Sequence, residues 1–206
     1  MFEFLKQLTN PESIIHYGGL ALLLFVVFAE TGLLIGFFLP GDSLIFISGM
    51  ICATKPELLG MNIYGLILSL SLAAILGNVA GYWFGYKIGP PLFHRKDSVF
   101  FKRKYLEITK DFYDKNGGKT LIIGRFIPII RTFAPILAGV IKVDFKKFMF
   151  FNIVGAFGWI TLLAGIGFKL GTYPWVQKNI GYIVIFLIII TLIPILITYK
   201  RQKNKK

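Results

Sequence analysis

Cysteine occurs once and histidine twice in these 206 residues. The single thiol, Cys52, excludes an internal disulfide and a cysteine metal cluster, so it is expected to pack as a small apolar residue. His16 stands near the N-terminus and His94 in a basic stretch, both distant in sequence from the arginines at 125 and 131. A membrane phosphatase would need an acid or nucleophile beside those arginines, usually a histidine, and the sequence offers none there. Acidic residues are scarce too: ten Asp and Glu against 23 Lys and Arg, for a formal charge of +13. The lysines, however, cluster between apolar segments and in the C-terminal stretch, the pattern of cytoplasmic faces in a membrane protein. No nucleic-acid partner, metal or other cofactor is expected.

What abounds is apolar. Hydrophobic residues make up 55% and aromatics 16%, with a mean hydropathy of +0.70. Five apolar blocks stand out, roughly 14–53, 61–89, 120–141, 148–170 and 181–199. About 20 residues cross a bilayer, so the chain reads as an all-α integral membrane protein. Residues 1–16 are polar and mixed in charge, an N-terminal interfacial segment with no cleavable leader expected.

Two blocks are broken. The first holds FLPGDS (Phe38 to Ser43), a turn signal made by Pro40, Gly41 and Asp42. The third is short and carries Pro128 and Pro135. Non-helical backbone at membrane depth needs protein or a water-filled cavity to cover its polar groups. Residues 17–53 and 120–141 are therefore read as re-entrant hairpins; for the second, one kinked span is the alternative. Residues 61–89, 148–170 and 181–199 are expected to be transmembrane helices, followed by a basic tail at 200–206.

Charge orients these segments. Nine Lys and Arg fall between Lys87 and Lys119 inclusive, and five in KRQKNKK (Lys200 to Lys206), whereas Pro174 to Gly181 has Lys178 alone beside Tyr173 and Trp175. Residues 90–119 and the C-terminus should then lie inside, with 54–60 and 171–180 outside. The two hairpins enter from opposite faces, each followed by a span. FLPGD (Phe38 to Asp42) faintly echoes FIPIIR (Phe126 to Arg131), so an inverted repeat is expected, with an additional C-terminal transmembrane helix.

Residues 97–117 predict a basic amphipathic helix, with Phe101, Tyr105, Ile108 and Phe112 at helical spacing and Asn116-Gly117-Gly118 as its stop. It would lie on the anionic inner leaflet, or serve as a solvated connector. Gly77, Gly81, Gly85 and Gly89 lie four residues apart, a bare helix face suited to close packing. Asn78 and Tyr82 flank that face and are candidates to line a cavity.

Four ionisable residues lie within or beside the hairpins: Glu30, Asp42, Arg125 and Arg131. Each costs ~3 kcal/mol on insertion scales, so such residues face protein or water and mark a pathway. They could be structural Arg–carboxylate pairs. They could also form a site, with both arginines gripping a phosphate by parallel charge-assisted hydrogen bonds and Thr132 lining it. Glu30 or Asp42 would then carry a coupling proton or neutralise an arginine when the site is empty.

AETGLLIGFFLPGDSLIFISG (Ala29 to Gly49), GNVAGYWFGYKIG (Gly77 to Gly89) and GRFIPIIRTFAPILAGV (Gly124 to Val140) resemble the signature stretches of the DedA family of bacterial membrane proteins. That family shares its core with the eukaryotic VTT-domain lipid scramblases, and the resemblance covers about residues 15–170. It implies a transporter that recycles undecaprenyl phosphate across the bacterial cytoplasmic membrane, with essential acids at Glu30 and Asp42 and essential arginines at Arg125 and Arg131. Many relatives carry an acid where this chain has Asn78. The readings that compete are a phospholipid scramblase, a proton-coupled exporter of a small cation and a non-transporting scaffold.

The charge distribution yields a direct test. In a Cys52→Ala background, single cysteines replacing Glu57 and Asn179 should label from outside intact cells, and one replacing Lys104 should not. Labelling of positions 104 and 179 from the same side would contradict the arrangement.

Overall fold

The computed structural model describes residues 11–32, 41–88, 103–179 and 182–183. Pro40, Gly89, His94, residues 97–102, the tail 200–206 and nearly all of the expected span 181–199 lie outside the described residues. Every regular element among the described residues is helical.

Helix α1 runs Pro11–Gly32 and is kinked at Gly19, whose φ of 54° is open to glycine. The kink divides an N-terminal stretch, opening at Pro11 where proline's fixed φ suits a first helical turn, from the apolar helix Gly19–Gly32. Helix α2, Gly41–Thr54, begins at the glycine expected to break the first hairpin and carries Asp42 in its first turn, where the helix dipole favours an anion. After a tight turn at Pro56–Leu58 comes α3, Ile63–Ile88. The Asn62 side chain caps its start, its Oδ1 accepting from the Gly65 N–H at 2.9 Å. Helix α4, Arg103–Asn116, ends where Gly117 turns to a φ of 56°.

The second broken block resolves into α5, Thr120–Ile123, a 3-10 turn at Gly124–Phe126, and α6, Pro128–Val140. The break falls at Ile127 (φ −118°, ψ 107°), since a residue before proline is pushed out of the helical region. Pro135 does not break the chain, contrary to expectation; it lies inside α6. Its missing N–H removes one bond, to the Arg131 carbonyl. Neighbouring bonds hold the helix: Arg131 N to Ile127 O and Ile141 N to Leu137 O, both 2.9 Å. Lys142 (φ 52°) closes α6 while Val143 N donates to Ala138 O at 2.9 Å. Helix α7, Phe145–Gly171, follows, with the Asp144 Oδ1 accepting from Lys147 N–H at 3.0 Å, and then the short α8, Pro174–Lys178.

Helices α3 and α7 are long and apolar enough to cross a membrane. At 1.5 Å per residue each measures about 40 Å, against a hydrocarbon core of about 30 Å. Their outward sides are also apolar: Leu68, Leu72, Leu76 and Phe84 on α3, Phe150, Ile153, Phe157 and Ile166 on α7. A helix apolar on all sides suits lipid, not water.

The described helices sort into two compact units. In the first, α2 packs on the C-terminal part of α7. A Cβ on Gly49 would overlap the Ala164 carbonyl, and one on Gly167 the Phe46 carbonyl. In the second, α6 packs on α3 in the same close manner. A Cβ on Gly85 would overlap the Ile136 carbonyl, one on Gly139 the Tyr82 carbonyl, and Gly81 faces Pro135. Gly77 meets Thr31 and the Phe28 carbonyl of α1. Hydrocarbon tails are as apolar as leucine, so such helices adhere by close backbone approach and dispersion.

Helix α4 completes the second unit's core, where Tyr113 and Leu121 join Ile130, Phe133, Leu137 and Phe148. The face it buries against protein lies beside the stripe expected to meet the leaflet. Thr109 and Tyr113 are buried, Phe112 is half-buried and Ile108 is exposed. Packing on α6 turns Tyr113 inward and leaves Ile108 on the outer side. Burial, with a smaller contribution from Tyr82, pushes the Tyr113 phenol up to about 12, so it stays neutral at physiological pH.

These seams predict opposite outcomes for one substitution. Gly85→Ala should destabilise the protein by about 1–3 kcal/mol through overpacking. Gly158→Ala, where nothing lies within 4 Å of the new Cβ, should be neutral or gain up to ~1 kcal/mol from helix propensity. Thermal unfolding in detergent checks both, and equal melting temperatures would contradict the seam.

Candidate functional site

The second unit gathers charged and amide side chains from five elements. Glu30, near the end of α1, is 3% exposed. It accepts a hydrogen bond from Arg131 Nη2, and the two form an ion pair whose carboxylate is buried and whose arginine side chain is 13% exposed. Arg131 occupies the first turn of α6, so the break at Ile127 sets its position. Glu30 is placed by the close approach of α1 to α3, where Gly32 and Gly77 meet backbone to backbone. Thr31 fastens the same corner, its hydroxyl reaching the Ala74 carbonyl of α3 at 3.4 Å.

Arg125 lies in the 3-10 turn and is 5% exposed. Two glycines clear space around this turn, one for Ile130 and one for Arg125 itself. A Cβ on Gly124 would stand 2.6 Å from Ile130 Cγ2; one on Gly155 of α7 would stand 3.0 Å from the Leu121 carbonyl oxygen and 3.1 Å from Arg125 Nε. Beside Arg125 sits Asn78 of α3, 5% exposed, next to the fully buried Asn152 of α7. An amide's oxygen and nitrogen are told apart by their partners alone, and Asn78 has two competing sets. In one orientation its Nδ2 donates to Asn152 Oδ1 at 2.7 Å, and Asn152 Nδ2 donates to Ile75 O at 3.2 Å. Turned by half a rotation, Asn78 donates to Thr31 O at 3.1 Å and accepts from Arg125 Nη2 at 3.0 Å.

Helix rise gives the depth. Asn78 precedes the end of α3 by ten residues and Asn152 follows the start of α7 by seven, about 15 and 10 Å along the axes. Those two ends adjoin, since Tyr82 Oη donates to the Val143 carbonyl at 2.7 Å. The amides and Arg125 thus lie well inside two helices long enough to cross a membrane, nearer the C-terminal end of α3.

The structure brings Glu30 to Arg131, and Asn78 to Arg125. Tyr82 does not join them, contrary to its expected place on a cavity. It is 3% exposed, its hydroxyl is taken by the Val143 carbonyl, and its ring lies 4.6 Å from Phe148 in an aromatic core. Thr132 is buried beside Arg131 on α6. Asp42 belongs to the first unit, half-buried in the first turn of α2. Asn152, Thr31 and Gly155 were not singled out by sequence. Asn152 could have been: it is the lone amide in the apolar run FMFFNIVGAFGW, Phe148 to Trp159.

Charges and amides held between helices long and apolar enough to cross a membrane define a membrane protein with a buried polar site. The VTT domain model matches residues 39–169. Protein DedA of Escherichia coli K12 is 38% identical over 195 residues, covering 94% of this chain and 88% of that protein. An uncharacterised membrane protein of Mycobacterium tuberculosis is 37% identical (88% and 81% covered), and the inner membrane protein YqjA of E. coli is 34% identical (82% and 74% covered). No solved structure matches. The chain belongs to the DedA family of membrane proteins.

A buried ion pair is costly to halve. Glu30→Gln removes the carboxylate that answers Arg131 and should destabilise the protein by about 3–5 kcal/mol. Adding Arg131→Gln should recover part of that loss. A double-mutant cycle by chemical denaturation would read the coupling, and additive losses would show that the pair contributes nothing.

Proposed function

We propose that this protein carries a lipid phosphate, undecaprenyl phosphate in the first instance, across the bacterial cytoplasmic membrane. The observation that carries this reading is the Glu30–Arg131 pair, buried in the same unit as Arg125. An arginine held by one carboxylate is a phosphate receptor with an internal occupant. Its planar fork matches two phosphate oxygens as well as two carboxylate oxygens. An arriving headgroup exchanges with Glu30, while the prenyl tail stays among apolar side chains and lipid. Only the headgroup needs a polar path, and the break at Ile127 sets Arg131 at a helix start with N–H groups to offer an anion.

The exchange is coupled to a proton. A bare carboxylate among apolar side chains is costly, so Glu30 takes up a proton when Arg131 turns to phosphate, and Asp42 is the second acid of the proposed path.

Two re-entrant hairpins in an inverted repeat suit this carriage, and the packing supports that plan. The helix that ends the first broken block, α2, lies on α7, the span that follows the second. Conversely α6, from the second block, lies on α3, the span that follows the first. The second arm of each hairpin thus packs on the other repeat's span through glycines. The protein is multi-pass, with residues 90–119 and the C-terminus in the cytoplasm, and α4 lies against the anionic inner leaflet.

Binding of undecaprenyl phosphate to purified protein tests the proposal. Arg125→Lys and Arg131→Lys should fold yet bind about tenfold more weakly or worse, ~1.4 kcal/mol, because an ammonium cannot reproduce the fork. Asp42→Asn should slow release from liposome-reconstituted protein more than it weakens binding. Equal binding by folded Lys variants would return the arginines to a structural role.

A further inference from the structure

We propose that Asn78 is the seat of Arg125 in the empty site, and that its side-chain amide rotates when a phosphate draws Arg125 away. The inference rests on the reading that the arginines receive a lipid phosphate, and it gives a role to a position no charge marks.

The hydrogen bonds open to the Asn78 amide exclude one another. With its nitrogen toward Asn152, Asn78 completes a chain of donors from α3 to α7 and back, ending on the Ile75 carbonyl. In that orientation the same nitrogen faces Arg125 Nη2 at 3.0 Å, donor against donor, and the oxygen faces the Thr31 carbonyl at 3.1 Å. With the amide reversed, both conflicts become hydrogen bonds: Asn78 accepts from Arg125 and donates to Thr31 O. The reversal then sets its oxygen against Asn152 Oδ1 at 2.7 Å. Asn152 can answer by turning as well, at the expense of its bond to Ile75. No arrangement satisfies every group while Arg125 stays docked.

Asn78, 5% exposed, has no solvent to settle the conflict. Buried polar groups are costly to leave unmatched, so the amide pair has two discrete states and Arg125 selects between them. Docked, Arg125 holds the Asn78 oxygen. Once Arg125 turns to a phosphate, the asparagine chain to Ile75 closes. The released arginine is thus offset by a bond regained elsewhere. Because Asn78 is neutral, it lets go of Arg125 without taking up a proton. A carboxylate in its place would grip the guanidinium with charge and compete with the incoming anion. Asn78 is in this sense a positioning residue that sets how readily Arg125 is released.

Two measurements on the purified full chain test this, with farnesyl phosphate as the probe and inorganic phosphate as a second ligand. Asn78→Asp, which preserves shape, should weaken farnesyl phosphate binding at least about tenfold, by the stronger grip of an ion pair. In parent protein labelled with nitrogen isotope at asparagine, the Asn78 side-chain amide resonance, assigned by difference from a position-78 variant, should move on saturation with the probe. Equal affinity of the folded Asp variant and the parent would overturn the assignment while leaving the lipid-phosphate reading in place. An Asn78 resonance unmoved at saturation would overturn it too, and decides the matter if the Asp variant does not fold. Failure of the parent to bind farnesyl phosphate would overturn the lipid-phosphate reading itself, and this inference with it. Inorganic phosphate eliciting the same shift would show that the headgroup alone drives the rotation.

Discussion

A guanidinium surrounded by hydrocarbon cannot stand alone, and the local architecture of the second unit follows from how Arg131 is answered. Its partner, Glu30, comes from α1, a helix over one hundred residues earlier in the chain. For the two to meet, α1 must lie on α3, and α6 must begin where Arg131 can reach across. Glycine supplies the first condition, since Gly32 and Gly77 touch backbone to backbone. Proline supplies the second, since Pro128 forces Ile127 out of the helix and sets the start of α6 one turn before Arg131. The ion pair is therefore less a source of stability than the reason for the geometry around it.

The same economy of bare positions runs through both units. Close backbone approach brings α2 to α7 and α6 to α3, and it replaces the hydrophobic driving force that water gives a soluble core. Seams of this kind are intolerant of added atoms yet free of long side chains that must reorder. That combination suits a protein whose polar groups exchange partners while its helices stay packed.

How far the sequence carried this account depends on the kind of signal. Charges in apolar runs were legible, because nothing in a bilayer hides Glu30, Arg125 or Arg131. The break at Pro128 was legible for steric reasons, and the glycine face of α3 by its spacing. Pro135 was misread, because a proline removes one hydrogen bond and packing by its neighbours decides whether the helix survives. Tyr82 was misread because a polar tip near a site can equally be taken by a distant carbonyl, here that of Val143. The protein-facing side of α4 was not legible, since its partner α6, rather than its own periodicity, chose Thr109 and Tyr113. Asn152 escaped notice because a neutral amide carries no charge to betray it, although its isolation in an aromatic run was visible.

The central claim is that a lipid phosphate takes the place of a carboxylate on a buried arginine. Solid-state magnetic resonance on the protein in bilayers, with isotopically labelled arginine and bound lipid phosphate, measures this directly. The account predicts dipolar coupling between the lipid phosphorus and the guanidinium nitrogens of both Arg125 and Arg131, with loss of the contact between Arg131 and Glu30. Bound lipid whose phosphorus couples to neither arginine, with the Glu30–Arg131 contact unchanged, would contradict it.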